Sequence, residues 1–558
     1  MAMRKPHPYE ALCLSSLEKV MPASGRAGYR YEKGSMLQNE RFHFQVAVKV
    51  TMDDKAMVVP VITSPLTESI RVFKVDLCPM EMMHEPCCDP GDTNFISKIP
   101  TLIPDCLEPL EAHGLSLVPH QWRCIWLTIE AQEGALLPPG EHPICISFQN
   151  NGKQVASVRF SLTVYKALLP KQDLIYTTWV HLDSLMNYYN VAAFSPEHWA
   201  LIEQTIGAAA RSGVNMVLTP CFTPPLDTAV DGERKTTQLV DVTLENGVYH
   251  FGFEKLERFI RLCQDYGITR FEIAHLFTQW GAAAAPKIMA VENGQEKRIF
   301  GWNTPVHSPE YAAFLQAYLP CLTQFLTHIG VANRCYFHIS DEPTDAHLEN
   351  YQKASQVLRP LLEGFPIMDA LSHYELYEKG LMDLPVCGTG VLELFAEKGV
   401  DPLWTYYCGF GADYLTMRSL STPSARNRIF GYQLYRYNVQ GFLHWVFNFY
   451  STRFSLYPVN PFRFTDGNGF CCSGDCFMVY PGQDGEPLTS IHNEVFYDAL
   501  QDLRALRALE ALIGRESVLK LIDDSLDMPL TMFEYPKDDQ WLLRMRETIN
   551  QMLGGSAQ

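Results

Sequence analysis

LIYTTWVHLDSLMNYYNVAAFSPEHWALIEQTIGAAARSGVNMVLTP, residues 174–220, holds a whole strand, loop, helix and strand in sequence. LIYTTWV reads as the first strand. Ser195 is placed to N-cap the helix with Pro196 at its first position, and Trp199, Ile202, Ile206 and Ala209 then recur on one face. VNMVLTP opens the next strand. The alternation continues through RFEIAHL, CYFHIS, FPIMDA, LPVCG, PLWTYYC and GFLHWVFN, with helical segments near 254–266, 309–329, 345–362, 391–398 and 424–438. Eight such strands are the number that closes a (β/α)8 TIM-type barrel, and a doubly wound open sheet is the alternative.

Upstream the period changes from helical to two. In RFHFQVAVKV, Phe42, Phe44, Val46, Val48 and Val50 alternate with polar or small residues, and CIWLTIE, ICISFQN and VRFSLTVYK repeat the pattern around a turn at NNGK. Many strands without helices between them predict an antiparallel β-sandwich, with KALLPKQD as the hinge out of it. Downstream, CFMVYPG reads as a short strand and the stretch after it as a long amphipathic helix that stops near Gly514 and packs on the barrel. The expected units are residues 1–168, 169–465 and 466–558.

Composition agrees with several domains, because 558 residues exceed what one core of about 250–300 residues supports. A formal charge of −18 opposes a polyanionic partner, so nucleic acid is excluded as an expectation. The first residues lack an apolar leader and no stretch approaches the roughly 20 apolar residues of a membrane span, which reads as a cytoplasmic chain. The 16 cysteines are scattered, and Cys124, Cys145, Cys335 and Cys387 stand in apolar strands, as reduced core residues do. In CCSGDC, Cys471, Cys472 and Cys476 lack a second CxxC or a His pair, so loop packing is preferred to a zinc site.

In a barrel the chemistry sits where the strands end. Those ends carry Trp179 and His181; Asp227 in TPCFTPPLDT; His275, Gln279 and Trp280 in HLFTQWGA; Asp341 and Glu342; Asp369; Tyr406 and Tyr407; and Trp445 with Asn448. Aromatics, amides and acids at one mouth suit a sugar, whose ring has an apolar face and a hydroxyl rim. No glycine-rich phosphate cradle is visible, so no nucleotide cofactor is expected. A metal on His338, Asp341 and Glu342 lacks a further ligand at suitable spacing, and none is expected. The bland readings are that a strand Trp fills the core, that His275 is a satisfied buried histidine, and that the acids of SDEP favour a helix dipole.

If the fourth strand stays extended to its end, His338, Ser340 and Glu342 face one side and Ile339 and Asp341 the other. Two adjacent acids repel and lose hydration when covered, so a fold gains little from them unless a ligand uses them. A retaining glycosidase with its own nucleophile needs a second carboxylate about 5–5.5 Å from the acid. PLWTYYC supplies none; Asp413 and Asp369 are the possible substitutes. An acid with a neighbouring carboxylate and no obvious nucleophile fits hydrolysis assisted by the substrate's own 2-acetamido group.

At NERFHFQVAVK, LTPCFTPPLDT, ERKTTQLVDV, FEIAHLFTQWGAAAAPKI, FHISDEP, GFLHWVFN and VYPG the chain resembles the glycoside hydrolase family 123 β-N-acetylgalactosaminidases and their close relatives. The resemblance implies a β-sandwich before a (β/α)8 catalytic barrel, with Asp341 stabilising the acetamide and Glu342 as general acid/base. It implies exo-acting, retaining hydrolysis of a glycoside or short oligosaccharide ending in β-linked N-acetylgalactosamine, without metal or cofactor. A β-N-acetylglucosaminidase or broad hexosaminidase, and a non-catalytic sugar-binding protein, are the alternatives. Trp404, Tyr406 and Trp445 are then expected to wall the pocket, with His275, Asp227 and Asn448 on hydroxyls, and Asp341 ionised while Glu342 is protonated. The chain departs from the pattern at Cys476, where a second glycine is expected, and at His492 and Tyr497, where relatives often place arginine and a more basic helix.

Overall fold

The computed structural model describes residues 8–83, 91–408 and 414–555. Its N-terminal part is two facing five-stranded sheets. In the first, Arg41–Val50 lies between Tyr9–Ser15 and Arg123–Glu130, antiparallel to both. The period of two is obeyed: Phe44, Val46, Val48 and Val50 are fully buried in the space between the sheets. The turn in NNGK joins Gly140–Asn150 to Lys153–Tyr165, with Asn151 at φ 49 and Gly152 at φ 74, the left-handed pair of a tight hairpin. One pairing differs from the expected antiparallel pattern. Lys33–Leu37 runs parallel to Lys153–Tyr165, because it joins the second sheet as an edge strand just before the chain crosses at residues 38–40 into the first.

The second part contains eight parallel strands: β1 Ile175–Thr178, β2 Met216–Thr219, β3 Arg270–Ile273, β4 Cys335–Phe337, β5 Met368–Leu371, β6 Leu384–Gly388, β7 Trp404–Tyr406 and β8 Gly441–His444. They pair in chain order, and β8 returns to β1. The ring is nearly closed: between β4 and β5 a single bridge, Phe337 to Ile367, takes the place of a ladder. Ser195 caps the helix Pro196–Arg211, its hydroxyl accepting the His198 amide. Helices Glu254–Asp265, Pro309–His328, Leu348–Leu358 and Leu392–Glu397 follow near the expected positions, while 424–438 divides into Ser424–Arg428 and Phe430–Arg436.

Between β2 and β4 the chain also builds a four-stranded sheet from Asp241–Glu245, Val248–Gly252, Ile288–Glu292 and Gln295–Phe300. Sequence reading missed it; its strands carry many charges and little alternation, so period alone does not reveal them. Gly441 has a steric reason: a Cβ there would stand 1.9 Å from the Trp404 ring.

CFMVYPG forms no strand, only isolated bridges from Phe477 to Asn448 and from Tyr480 to Leu488. The long helix Ile491–Ile513 ends at Gly514 and packs on the two helices before β8 and on the sandwich strand Thr101–Pro109. Buried charges tie these layers. His43 donates to Asp498 over 2.9 Å and lies 3.2 Å from Glu494, while Arg428 and Arg546 both meet Asp502. Burial opposes a charge on His43, but the two carboxylates outweigh it and raise the imidazole to about 9. Among the described residues no helix is long and apolar enough to cross a membrane.

Candidate active site

A cleft of about 800 Å³, open to solvent, lies where the parallel strands end. Its lining includes Asp341 and Glu342 after β4, Asp227 after β2, Gln279 and Trp280 after β3, Tyr406 of β7 and Trp445 after β8. Trp179 and His181 after β1, and Arg453, Phe470, Cys471 and Asp475 beyond β8, line it too. The last four were missed because they lie outside any strand end.

The expected alternation along the fourth strand does not hold. β4 stops at Phe337, and Glu342 has φ 43, so the backbone turns and both acids line the same cleft. The Tyr406 hydroxyl donates to Glu342 over 2.5 Å. Burial, and then the Glu342 charge, push the Asp341 carboxyl well above the usual range, with His338 opposing. This favours the neutral form of Asp341, the residue expected to be the ionised member of the pair. Left-handed backbone recurs around the cleft at Asp227, Trp280, Ala282, Glu342, Phe454 and Ser455. Such strain persists only where neighbouring contacts enforce it, and it gathers at ligand sites.

The contacts that enforce it start inside the barrel. Glu272 accepts from the Trp179 indole at 2.7 Å, from the Thr177 hydroxyl at 2.5 Å and from His338 Nε2 at 2.8 Å. The other nitrogen, His338 Nδ1, donates to Asp369 at 2.8 Å. Burial opposes a charge on His338, yet the two carboxylates overcome it and raise the ring to about 10. Asp369 Oδ2 accepts from Tyr351 at 2.5 Å and from the Ile339 and Ser340 amides at 3.2 and 3.4 Å. Asp369 thus holds the three residues that precede Asp341. Ser340 extends the hold to the β3 loop, donating to the Thr278 carbonyl at 2.8 Å and accepting the Ala282 amide at 3.0 Å.

The expectation that Asp369 could serve as a substitute nucleophile is corrected by this network. Asp369 is fully buried on His338 and does not line the cleft, so it is no substitute nucleophile; Asp413 lies outside the described residues. Both His338 nitrogens are engaged by carboxylates, which leaves none for a metal shared with Asp341 and Glu342. His275, His338 and Asp369 have ligand atoms within 4.8 Å of one another. The two imidazoles, however, are stacked 4.1 Å apart at 21°, and a metal in the plane of one ring lies off the plane of the other. Asp369→Asn is expected to lower kcat about tenfold to a hundredfold with little change in KM, and to lower the thermal unfolding midpoint as well, because it removes a buried charge partner of His338; steady-state kinetics on the folded variant beside a melting curve checks it.

Four other expected contacts lie outside the cleft lining. His275 is buried between His338 and the edge of Trp179, its ring held well below the ordinary histidine range by burial and then by the His338 charge. Trp404 fills the barrel interior against Tyr336 and Gly441. Tyr407 faces the surrounding helices, against Phe430 and Phe442. Asn448 spends its amide on the backbone of His181, accepting the N–H at 2.9 Å and donating to the carbonyl at 3.2 Å.

Asp227 is built into the cleft more firmly than its loop sequence implies. Gln279 accepts its amide, its Oδ1 accepts the Phe454 amide at 3.2 Å, and the Ser455 hydroxyl donates to its carbonyl at 2.8 Å. Burial raises its carboxyl to about 6, and Oδ2 has no partner among the described residues. Trp445 Nε1 is likewise unpartnered among them. An acceptor and a donor without partners in one cleft suit hydroxyl groups of a ligand. His181 is neutral, drawn down to about 3 by burial and then by Arg234, which donates to its Nδ1 at 2.9 Å.

Cys471 and Cys476 of the CCSGDC loop are paired in a disulfide, whereas Cys124, Cys335 and Cys387, expected to be reduced core residues, are free and buried, and Cys145 is free and half-buried. At the second departure from the family pattern, His492 sits buried with Nδ1 on Asp105 at 2.8 Å and Nε2 on the Phe477 carbonyl at 2.7 Å.

A family model described as the catalytic domain of glycoside hydrolase 123 matches residues 179–509. Among solved structures, a family 123 glycoside hydrolase from Clostridium perfringens, described for glycolipid glycan hydrolysis, aligns with TM-score 0.73 at 14% identity, covering 98% of both chains. A family 39 glycoside hydrolase from Bacteroides cellulosilyticus WH2 reaches 0.34 at 8% identity, over 85% of this chain and 82% of that one. A β-glucuronidase from Ruminococcus gnavus reaches 0.33 at 11%, over 82% of this chain and 66% of its own. No curated protein sequence matches.

Proposed function

The chain belongs to glycoside hydrolase family 123, and we propose that it releases a terminal β-linked N-acetylhexosamine, preferentially N-acetylgalactosamine, with retention, the sugar's acetamido oxygen acting as nucleophile. The observation that carries this reading is the pair of consecutive acids in one cleft, Asp341 and Glu342, the second on the Tyr406 hydroxyl. Glu342 protonates the glycosidic oxygen and later takes a proton from water. Asp341 accepts the acetamide N–H and offsets the positive charge that grows as the oxazoline ring closes. Burial by itself favours the neutral acid; the substrate's N–H and the developing cation both favour the carboxylate. The interaction therefore strengthens toward the transition state, as catalysis requires.

We read the strands as a TIM-type (β/α)8 barrel over residues 169–465, between a sandwich at 1–168 and a C-terminal segment at 466–558. The glycolipid glycans named for the Clostridium perfringens enzyme belong to the class of substrate proposed. A second reading rests on Asp227 and Asp475, which also line the cleft: double displacement with one of them as nucleophile. Aryl β-glycosides of N-acetylgalactosamine, N-acetylglucosamine and galactose separate the readings. Cleavage is expected to need the N-acyl group and to favour the galacto epimer. Equal kcat/KM for the plain galactoside would leave double displacement standing, and binding without hydrolysis would make the protein a sugar-binding one.

A further inference from the structure

We propose that Trp280, braced by Phe454, is the platform of a leaving-group subsite that stacks the sugar next to the terminal N-acetylhexosamine; the proposal rests on the glycosidase reading. Of the aromatic side chains lining the cleft, Trp280 is the exposed one, at 42%, whereas Trp179 and Tyr406 are buried and Trp445 and Phe470 intermediate. A terminal sugar held between Asp341 and Glu342 is enclosed by the buried walls. The second sugar must therefore pass over the lip.

Trp280 stands at that lip beside the acids, since its amide donates to the Asp341 carbonyl at 2.9 Å. Its ring meets Phe454 edge-on at 5.7 Å, from the loop on the far side of the β1 and β2 ends. That loop is pinned by Asp227, which accepts the Phe454 amide and is itself held by Gln279, the residue before Trp280. Two left-handed residues, Trp280 at φ 54 and Phe454 at φ 60, are thus fixed by one set of contacts. Holding a large indole half in water on a strained backbone has no packing benefit, whereas the apolar face of a pyranose stacks on such a surface. The same loop exposes Leu456 and Tyr457, which extends the apolar rim away from the acids.

The test uses the full chain with three probes: a thiazoline derived from N-acetylgalactosamine, which fills the terminal-sugar pocket alone; a β-linked N-acetylgalactosaminyl-galactose; and the methyl β-glycoside of N-acetylgalactosamine. Trp280→Ala is expected to leave the thiazoline inhibition constant within about twofold while kcat/KM for the disaccharide falls about tenfold relative to the methyl glycoside. Trp280→Phe should restore most of the loss. If thiazoline affinity falls as far as disaccharide turnover, Trp280 walls the terminal sugar and the proposal is overturned; unchanged disaccharide turnover overturns it as well. A wild-type protein that neither binds the thiazoline nor cleaves any glycoside removes the glycosidase reading, and this subsite with it.

Discussion

Glu342→Gln is expected to lower kcat on a disaccharide by about 10²–10⁴-fold, the usual worth of a positioned acid, or about 3–5.5 kcal/mol of barrier. The amide keeps the size of the side chain and a hydrogen-bond partner for Tyr406, whose hydroxyl now donates at 2.5 Å, but has no acidic proton to give to the leaving oxygen. The loss must therefore depend on the leaving group. A nitrophenolate departs without help, so the variant's deficit on an aryl glycoside should shrink in the first step and persist in the second, where Glu342 activates water. Burst kinetics on the aryl substrate reads this split. Wild-type rates on both substrates would remove Glu342 from the reaction.

Asp341→Asn is expected to cost about 10²–10³-fold in kcat, the scale of removing one preorganised charge partner from a transition state. Its pH signature is sharper than its magnitude. Because burial and Glu342 raise the Asp341 carboxyl, the wild-type kcat/KM should fall as pH drops through a value well above the ordinary carboxylate range. The direction comes from the working form: the carboxylate binds the acetamide, protonation removes it, and a raised pKa moves that loss to higher pH. In Asp341→Asn this acidic limb should disappear along with most of the rate. An acidic limb at the same pH in the variant would assign it to another group. Asp227, raised to about 6 and lining the same cleft, is the next candidate, and Asp227→Asn separates the two.

Much of the fold is legible in the chain because its determinants are local. Ser195 and Pro196 start a helix wherever that segment lies, and the Asn151–Gly152 pair turns a hairpin for reasons internal to four residues. The acid pair is legible for the same reason: an apolar strand followed within a few residues by Asp-Glu-Pro delivers carboxyls to the strand-end face, although the strand itself stops at Phe337. The four-stranded sheet between β2 and β4 was not, since Gln295–Phe300 is almost wholly exposed and shows no apolar alternation.

Within the site, the period of two told sides apart but not depth. Trp404 and Tyr406 point the same way from β7, yet two residues of rise, about 6.6 Å, separate an indole packed on Gly441 from a phenol on Glu342. Tyr407, one residue on, faces the helices. Glu272 gave no signal at all, being one acid inside an apolar strand. Its meaning lies in His338, 66 residues away, and in Trp179, 93 residues the other way. The sequence by itself determined the parallel-strand architecture, the sandwich and the two acids, because periodicity, capping and chain order are properties of neighbouring residues. Only the tertiary structure decided which aromatics reach the cleft, how Asp369 and His338 hold the acids, and that burial raises the Asp341 carboxyl. These arise from the stagger between strands and from low-dielectric burial, and neither is set until strands far apart in the chain lie side by side.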